Sequence, residues 1–208
     1  MTSQETRNRI LDAALRLFND RGTAVISTNH IATEAGISPG NLYYHYRNKE
    51  EITREILENM FAAWGGVWFK NVEHAPDVSD LKTLIRLNFQ LLWEFRFFYR
   101  ESTALMLRDP KLATRHAEMQ RARLSQQENF YRHFVEAGVM KEPEDSSAIS
   151  DLVSTTWILA TKWLTFLEEG MQEVDEVRMQ EGERLILRVF RHYLTDASAV
   201  ELEMPKEH

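Results

Sequence analysis

Apolar positions along this chain recur every three to four residues and scarcely alternate, a pattern that predicts helices from end to end. The first helix opens on Thr2 with Glu5 three residues on, the spacing of a capping box. Its stripe is Ile10, Leu11, Ala14, Leu15, Leu17 and Phe18, and Gly22 stands just past its end. A second, short helix starts at Ser27 or Thr28, turns Ile31 and Ala32 inward, and is broken by Gly36. Ser38 caps a third helix whose first residue is Pro39, where a missing N–H costs nothing, and Leu42 and Tyr46 are spaced to be buried. Beyond residue 48 the periodic segments lengthen. They run over 49–74, from 79 to a bend within 95–99, on to 108, from 109–110 to 138, then 146–169 and 174–196, with a polar, frayed tail after Ala197. The chain therefore reads as all-α, with a three-helix head over 1–48 and a larger helical body over 49–208.

Composition narrows the function classes. An apolar share of 43% and an aromatic share of 11% exclude a disordered chain. The absence of cysteine excludes a disulfide framework and a thiolate zinc site. Apolar runs such as Val67-Trp68-Phe69 are too short to span a bilayer, and Glu5, Arg7, Arg9 and Asp12 stand where a secretory signal would be apolar. A cytoplasmic protein without a membrane partner is the expectation. The net charge of -7 is unevenly spread. Residues 1–50 carry six Lys/Arg against five Asp/Glu, or +1, and the remainder nineteen against twenty-seven, or -8. An acidic body would turn a near-neutral head toward a polyanion.

Two enzyme signatures fail on context. Gly36-Ile37-Ser38-Pro39-Gly40 fits G-x-S-x-G, but that elbow needs a strand leading in and a surrounding sheet, and here a helix leads in. The seven histidines, at 30, 45, 74, 116, 133, 192 and 208, form neither an H-x-x-x-H nor an E-x-x-H pair. No catalytic set, metal site or cofactor is expected.

The chemistry concentrates in Ser27 to Lys49, STNHIATEAGISPGNLYYHYRNK. Two short helices joined by a Gly-containing turn, packed on a longer first one, make a helix-turn-helix. The second of the pair displays Asn41, Tyr43, Tyr44 and His45 around only two core residues. A helix laid in a major groove uses such side chains: hydroxyl and imidazole groups reach phosphates, and ring faces cover thymine methyls.

The run Thr28, Ile31-Ala32, Ala35-Gly36-Ile37-Ser38, Gly40, Leu42-Tyr43, His45-Tyr46 and Lys49 resembles the DNA-binding signature of the TetR/AcrR family. That resemblance implies a fold of about nine helices covering the whole chain, with DNA bound by the first three. Carried over by motif position, it implies that Tyr43, Tyr44, His45 and Lys49 meet phosphates or the groove wall, as does Thr28 at the start of its helix. Asn29 would read a base edge, and Ser38, Pro39, Gly40 and Asn41 form the leading end of the recognition helix. Tyr46 departs from the family's more common Phe and leaves a hydroxyl to be accommodated.

In the body, aromatic residues exceed what a small core needs, which points to an apolar cavity between helices. Trp68, Phe89, Trp93 and Phe97 are lining candidates, with Arg96, Arg100 or His116 to meet an anionic head group. The last two helices carry broad apolar faces, Ile149, Val153, Trp157, Ala160 and Leu164 on one and Ile186, Val189, Phe190 and Tyr193 on the other. Paired with their twofold mates they would form a four-helix dimer interface, which is also what the family implies. Gly65-Gly66, within the helix leaving the head, would serve either as a hinge or as a place where helices pack closely. The expected function is a homodimeric repressor that binds double-stranded, palindromic operator DNA and is released by a small apolar or amphipathic effector. A DNA-binding regulator controlled by a protein partner is the alternative.

Overall fold

The computed structural model describes residues 2–68 and 74–203, and these form ten α-helices and a single isolated bridge. The helices are α1 (Ser3–Arg21), α2 (Thr28–Glu34), α3 (Pro39–His45), α4 (Lys49–Trp68), α5 (Val78–Glu94), α6 (Arg96–Arg108), α7 (Pro110–Glu136), α8 (Ala148–Glu169), α9 (Glu176–Arg191) and α10 (Asp196–Glu203). The expected continuation of the fourth helix to residue 74 falls on residues outside those described. Among the described residues no helix is long and apolar enough to cross a membrane, and no group of three or more metal-binding side chains exists.

By packing, the chain divides into two compact units. The first unit is Met1–Ala63 with Phe95–His116; the second is Trp64–Glu94 with Ala117–His208. A cut after residue 48 would part α4 from α1, since Arg7 bonds Glu55 on α4. Arg54 on α4 bonds Asp109 at 2.5 Å, and Glu58 receives two hydrogen bonds from Arg115 at 2.7 and 2.9 Å. Arg115 holds the Glu58 carboxyl below its ordinary range. Burial alone would raise the Asp109 carboxyl, but the Leu112 N–H and the Arg54 guanidinium outweigh it and hold it low.

In the first unit, Ile10, Ala14, Phe18, Ile31, Ala32 and Leu42 supply the buried apolar core of the three N-terminal helices. Phe97 of α6 stands 5.4 Å from the Phe18 ring. The α1–α6 seam is also polar, since Asn19 accepts the Phe97 N–H at 3.0 Å through its side chain and the Arg100 guanidinium at 2.8 Å through its carbonyl.

In the second unit, α5, α8 and α9 share a core that includes Leu84, Phe89, Leu152, Leu164, Ile186 and Phe190. Gly182 permits the closest approach. A Cβ there would lie 2.5 Å from Phe89 Cε1 and 2.7 Å from Trp163 Cδ1. Of the expected frayed tail, the part up to residue 203 is α10, which packs on α5, and the rest lies outside the described residues. Thr195 carries the polar contacts that order it, its hydroxyl bonding Ser198 at 3.0 Å and its N–H the Val139 carbonyl at 3.0 Å. Polar composition marked this segment as exposed, and those tertiary bonds have no periodic signature.

The residues expected at the dimer interface differ in burial. Ile149, Val153, Ala160, Leu164, Ile186 and Phe190 are all buried within their own unit, while Trp157, Val189 and Tyr193 are half-buried. Periodicity identified the apolar faces correctly but could not say which side of each helix its own unit covers. A Cβ built on Gly66 meets nothing within 4 Å, so close packing does not require that glycine.

Candidate nucleic-acid interface

Local chemistry shapes the turn and both short helices. Ser27 accepts the His30 N–H while His30 Nδ1 accepts the Ser27 N–H, both at 3.3 Å, a capping box with an imidazole as the reciprocal partner. Gly36 has φ +64°, a left-handed conformation that side chains disfavour, and Arg9 donates to the adjacent Ala35 carbonyl. Ser38 accepts the Asn41 N–H at 3.2 Å, so this serine is an N-cap with its oxygen committed to the backbone.

Helix α3 buries one of its seven residues, Leu42. Pro39, Gly40, Asn41, Tyr43 and Tyr44 are exposed, and His45 is half-buried with its ring edge-on to Tyr44 at 5.1 Å. A Cβ at Gly40 would meet nothing within 4 Å, leaving the backbone open to close approach. Thr28 and Tyr43 share a hydrogen bond of 2.9 Å between hydroxyls, which ties the first residue of α2 to the outer face of α3. Asn29 is exposed beside them. Thus α2 and α3 bring Thr28, Asn29 and the α3 residues onto one solvated surface. Tyr46 lies beneath, 2% exposed, with the Arg7 guanidinium 4.8 Å from its ring centre. Burial first and the Glu55 charge second raise the pKa of its hydroxyl, which makes no hydrogen bond with the described residues.

Lys49 sits differently from the other motif residues. Its ammonium donates to the Thr23 carbonyl at 2.5 Å and the Ile26 carbonyl at 2.8 Å. It thus clasps the loop between α1 and α2 from one side, while Glu101 of α6 accepts the Thr23 N–H at 2.9 Å and the Thr23 hydroxyl. Arg47, which motif reading passed over, is exposed at the end of α3. Its position outside the signature gave no reason to single it out.

The ligand-lining candidates are divided between the two units. Phe89 and Trp93 line a groove of about 580 Å³ with Arg86, Met179 and Glu183 in the second unit. Arg96, Phe97, Arg100 and His116 belong to the first unit. Arg96 lies 3.5 Å from Asp20, and Phe97 and Arg100 are bound to Asn19. His116 is held below the ordinary histidine pKa by burial, its ring 5.3 Å from Phe98 and 6.4 Å from Phe61. The Trp68 side chain lies outside the described residues.

Two short helices packed on a longer first one, with exposed polar and aromatic groups on the last, define a helix-turn-helix DNA-binding module of a transcription regulator. Sequence comparison places it further. The family described as "Bacterial regulatory proteins, tetR family" matches residues 10–56, and "TetR: Bacterial transcriptional repressor" matches 68–202. The chain belongs to the TetR family of bacterial transcriptional repressors. It is 45% identical over 56 residues to the transcriptional regulator AcrR of Shigella flexneri, a stretch covering 27% of this chain and 26% of that protein. A TetR-family regulator from Marinobacter aquaeolei VT8 is 29% identical, with a TM-score of 0.86 covering 97% of this chain and 96% of the other. SmeT, the repressor of a Stenotrophomonas maltophilia multidrug efflux pump, has been solved as a triclosan complex. It shares the fold at 21% identity and a TM-score of 0.66, covering 98% of this chain and 100% of its own.

Proposed function

We propose that this repressor binds a palindromic double-stranded operator as a homodimer, with α3 in the major groove, and releases it when a small apolar or amphipathic effector occupies the helical body. The observation that carries this reading is the exposure of α3. Tyr44 is 81% exposed and Tyr43 51%, on a helix with one buried residue. Thr28, Asn29, Ser38, Pro39, Gly40, Asn41 and His45 complete the DNA surface, with Arg47 added as an exposed cation. Lys49 acts by holding the loop that seats α2.

Two copies are needed because a twofold operator presents half-sites about 34 Å apart. The outer faces of α8 and α9 support pairing, since Ile158, Phe166 and Val177 remain 61–63% exposed after the inward residues are buried. An effector that prefers a different spacing of the recognition helices weakens operator binding, about 1.4 kcal/mol of differential affinity giving a tenfold loss. SmeT holds triclosan on the same fold, which supports a small-molecule effector here. A gel shift of the purified protein on the DNA flanking its own gene, paired with sedimentation velocity, tests the reading. A monomer at micromolar concentration that leaves that DNA unshifted overturns it.

A further inference from the structure

In the first unit, the loop between α1 and α2 is held by side chains of two distant helices, which meet at Thr23. Thr23 is 2% exposed, and each of its polar groups is bonded. Glu101 of α6 accepts its N–H at 2.9 Å through one carboxylate oxygen and its hydroxyl through the other, while the Lys49 ammonium donates to its carbonyl. The preceding residue leaves room for that carboxylate. Gly22 has φ +76°, a left-handed conformation, and a Cβ there would lie 2.6 Å from Glu101 Oε1. Helix α6 is itself registered on α1. Phe95 at its start supplies no side-chain cap, and Asn19 of α1 accepts the Phe97 N–H instead, at 3.0 Å. Arg100 donates to the Asn19 carbonyl at 2.8 Å. Phe97, Arg100 and Glu101 stand at i, i+3 and i+4, so a single face of α6 lies against α1 and the loop. Glu101 is 78 residues beyond Thr23 in the chain, well outside the helix-turn-helix.

We infer that Glu101 is a positioning residue for operator binding: through Thr23 its carboxylate fixes the entry into α2, and with it the DNA-facing surface that α2 shares with α3. The inference rests on the operator reading above and adds to that site a residue that does not touch DNA. Only three residues separate Thr23 from Ser27, which caps α2, and Thr28 follows with its hydroxyl bonded to Tyr43 of α3. A loop released at Thr23 lets these groups leave the arrangement that faces DNA, and affinity then falls by the fraction of chains that keep it. Lys49 does not replace the carboxylate, because its bonds go to the Thr23 and Ile26 carbonyls. Without Glu101 the buried N–H and hydroxyl of Thr23 lose their acceptors. Three roles give three different signs. As a bare charge on the DNA-binding unit, Glu101 repels a polyanion, so its removal tightens binding. As a brace for stability alone, its removal leaves the affinity of folded chains unchanged. As a positioning residue, its removal weakens binding.

Full-length Glu101→Ala, Glu101→Gln and Thr23→Val proteins are titrated, at a temperature where each is folded, onto the DNA flanking the gene that wild-type protein shifts. Hydrogen exchange of the Thr23 amide is followed in parallel. Glu101→Ala is expected to bind about tenfold more weakly, as when the seated loop falls to about a tenth of the population, with the slope of log affinity against log salt unchanged. The Thr23 amide is expected to exchange faster while the core amides of Phe18 and Ile31 keep their protection. Glutamine still accepts the N–H and can donate to the hydroxyl, so Glu101→Gln is expected to restore binding to within about threefold of wild type. Thr23→Val removes only the hydroxyl bond and is expected to lose about threefold. It carries the test if Glu101→Ala does not fold. Wild-type protein that shifts no DNA overturns the operator reading, and the role given to Glu101 falls with it. Where wild type binds, Glu101→Ala, or Thr23→Val in its place, binding as tightly as wild type or more tightly overturns the positioning role alone. So does a Glu101→Gln protein that falls as far as Glu101→Ala.

Discussion

Helices α3 and α7 break the same partition rule in opposite directions. Helix α3 sets Tyr43 and Tyr44 in water, whereas α7 takes Arg123 and Gln127 out of it. On α3 the misplaced groups stand outside the packing, for Leu42 alone is buried and the end caps do the rest. On α7 they are inside the packing, so the surrounding core holds them whether or not anything is bound. An exposed ring needs a partner to be covered; the buried guanidinium already lies against the Trp64 and Trp157 rings. The first defect is inexpensive and sits on a seven-residue helix, while the second is costly and requires the 27-residue frame of α7.

The sharpest division within α3 is between Leu42 and its exposed neighbours. Leu42→Ala is expected to destabilise the protein by about 3 kcal/mol in urea denaturation, the usual cost of emptying a filled core site. Tyr44→Ala is expected to stay within about 0.5 kcal/mol of wild type. Equal losses for the two would mean that α3 is a packing element and its rings are structural.

Lys49 comes next in size. Its two charge-assisted bonds to the Thr23 and Ile26 carbonyls fix the loop entering α2, so Lys49→Met is expected to lose about 2 kcal/mol of stability. Operator affinity should fall with it while the slope of log affinity against log salt stays constant. Arg47→Ala, on an exposed side chain, should leave stability unchanged and reduce that slope by about one. A Lys49→Met protein of normal stability with a reduced slope would return Lys49 to the phosphate backbone.

These two helices also explain how far the sequence was legible. Ser27, Gly36, Ser38 and Pro39 act through bonds within a few residues, so their roles as caps and turn could be read directly, and α2 and α3 follow. The family motif then located the exposed residues of α3. Arg123, Gln127 and Tyr131 remained hidden because a polar i, i+4 stripe on a long helix has the same pattern as a solvent-facing side. Only the placement of α4 and α8 around it reveals the difference. Lys49 is a related case, since its clasp depends on two carbonyls more than twenty residues away. The burial of Ile149, Val153 and Phe190 is a third, because periodicity marks a face without saying what covers it.

A smaller effect is expected at the operator. Tyr44→Ala should weaken DNA binding about tenfold, or about 1.4 kcal/mol, across specific and non-specific sequences alike if the ring and hydroxyl serve the groove wall. A loss confined to the specific operator would instead assign Tyr44 to base reading.

The smallest effect tests the other helix. Gln127 is 6% exposed on a face where its neighbours toward either end are Arg123 and Tyr131. If this carboxamide is there for packing, Gln127→Leu should leave its former partners unbonded and cost about 1–3 kcal/mol. If it makes no bond that the fold depends on, leucine has comparable bulk and no polar group to desolvate, so stability should hold or rise by up to about 1 kcal/mol. The second outcome is expected. A destabilised Gln127→Leu protein would make the polar stripe a structural network, and α7 would contrast with α3 as a helix whose polar groups serve the fold.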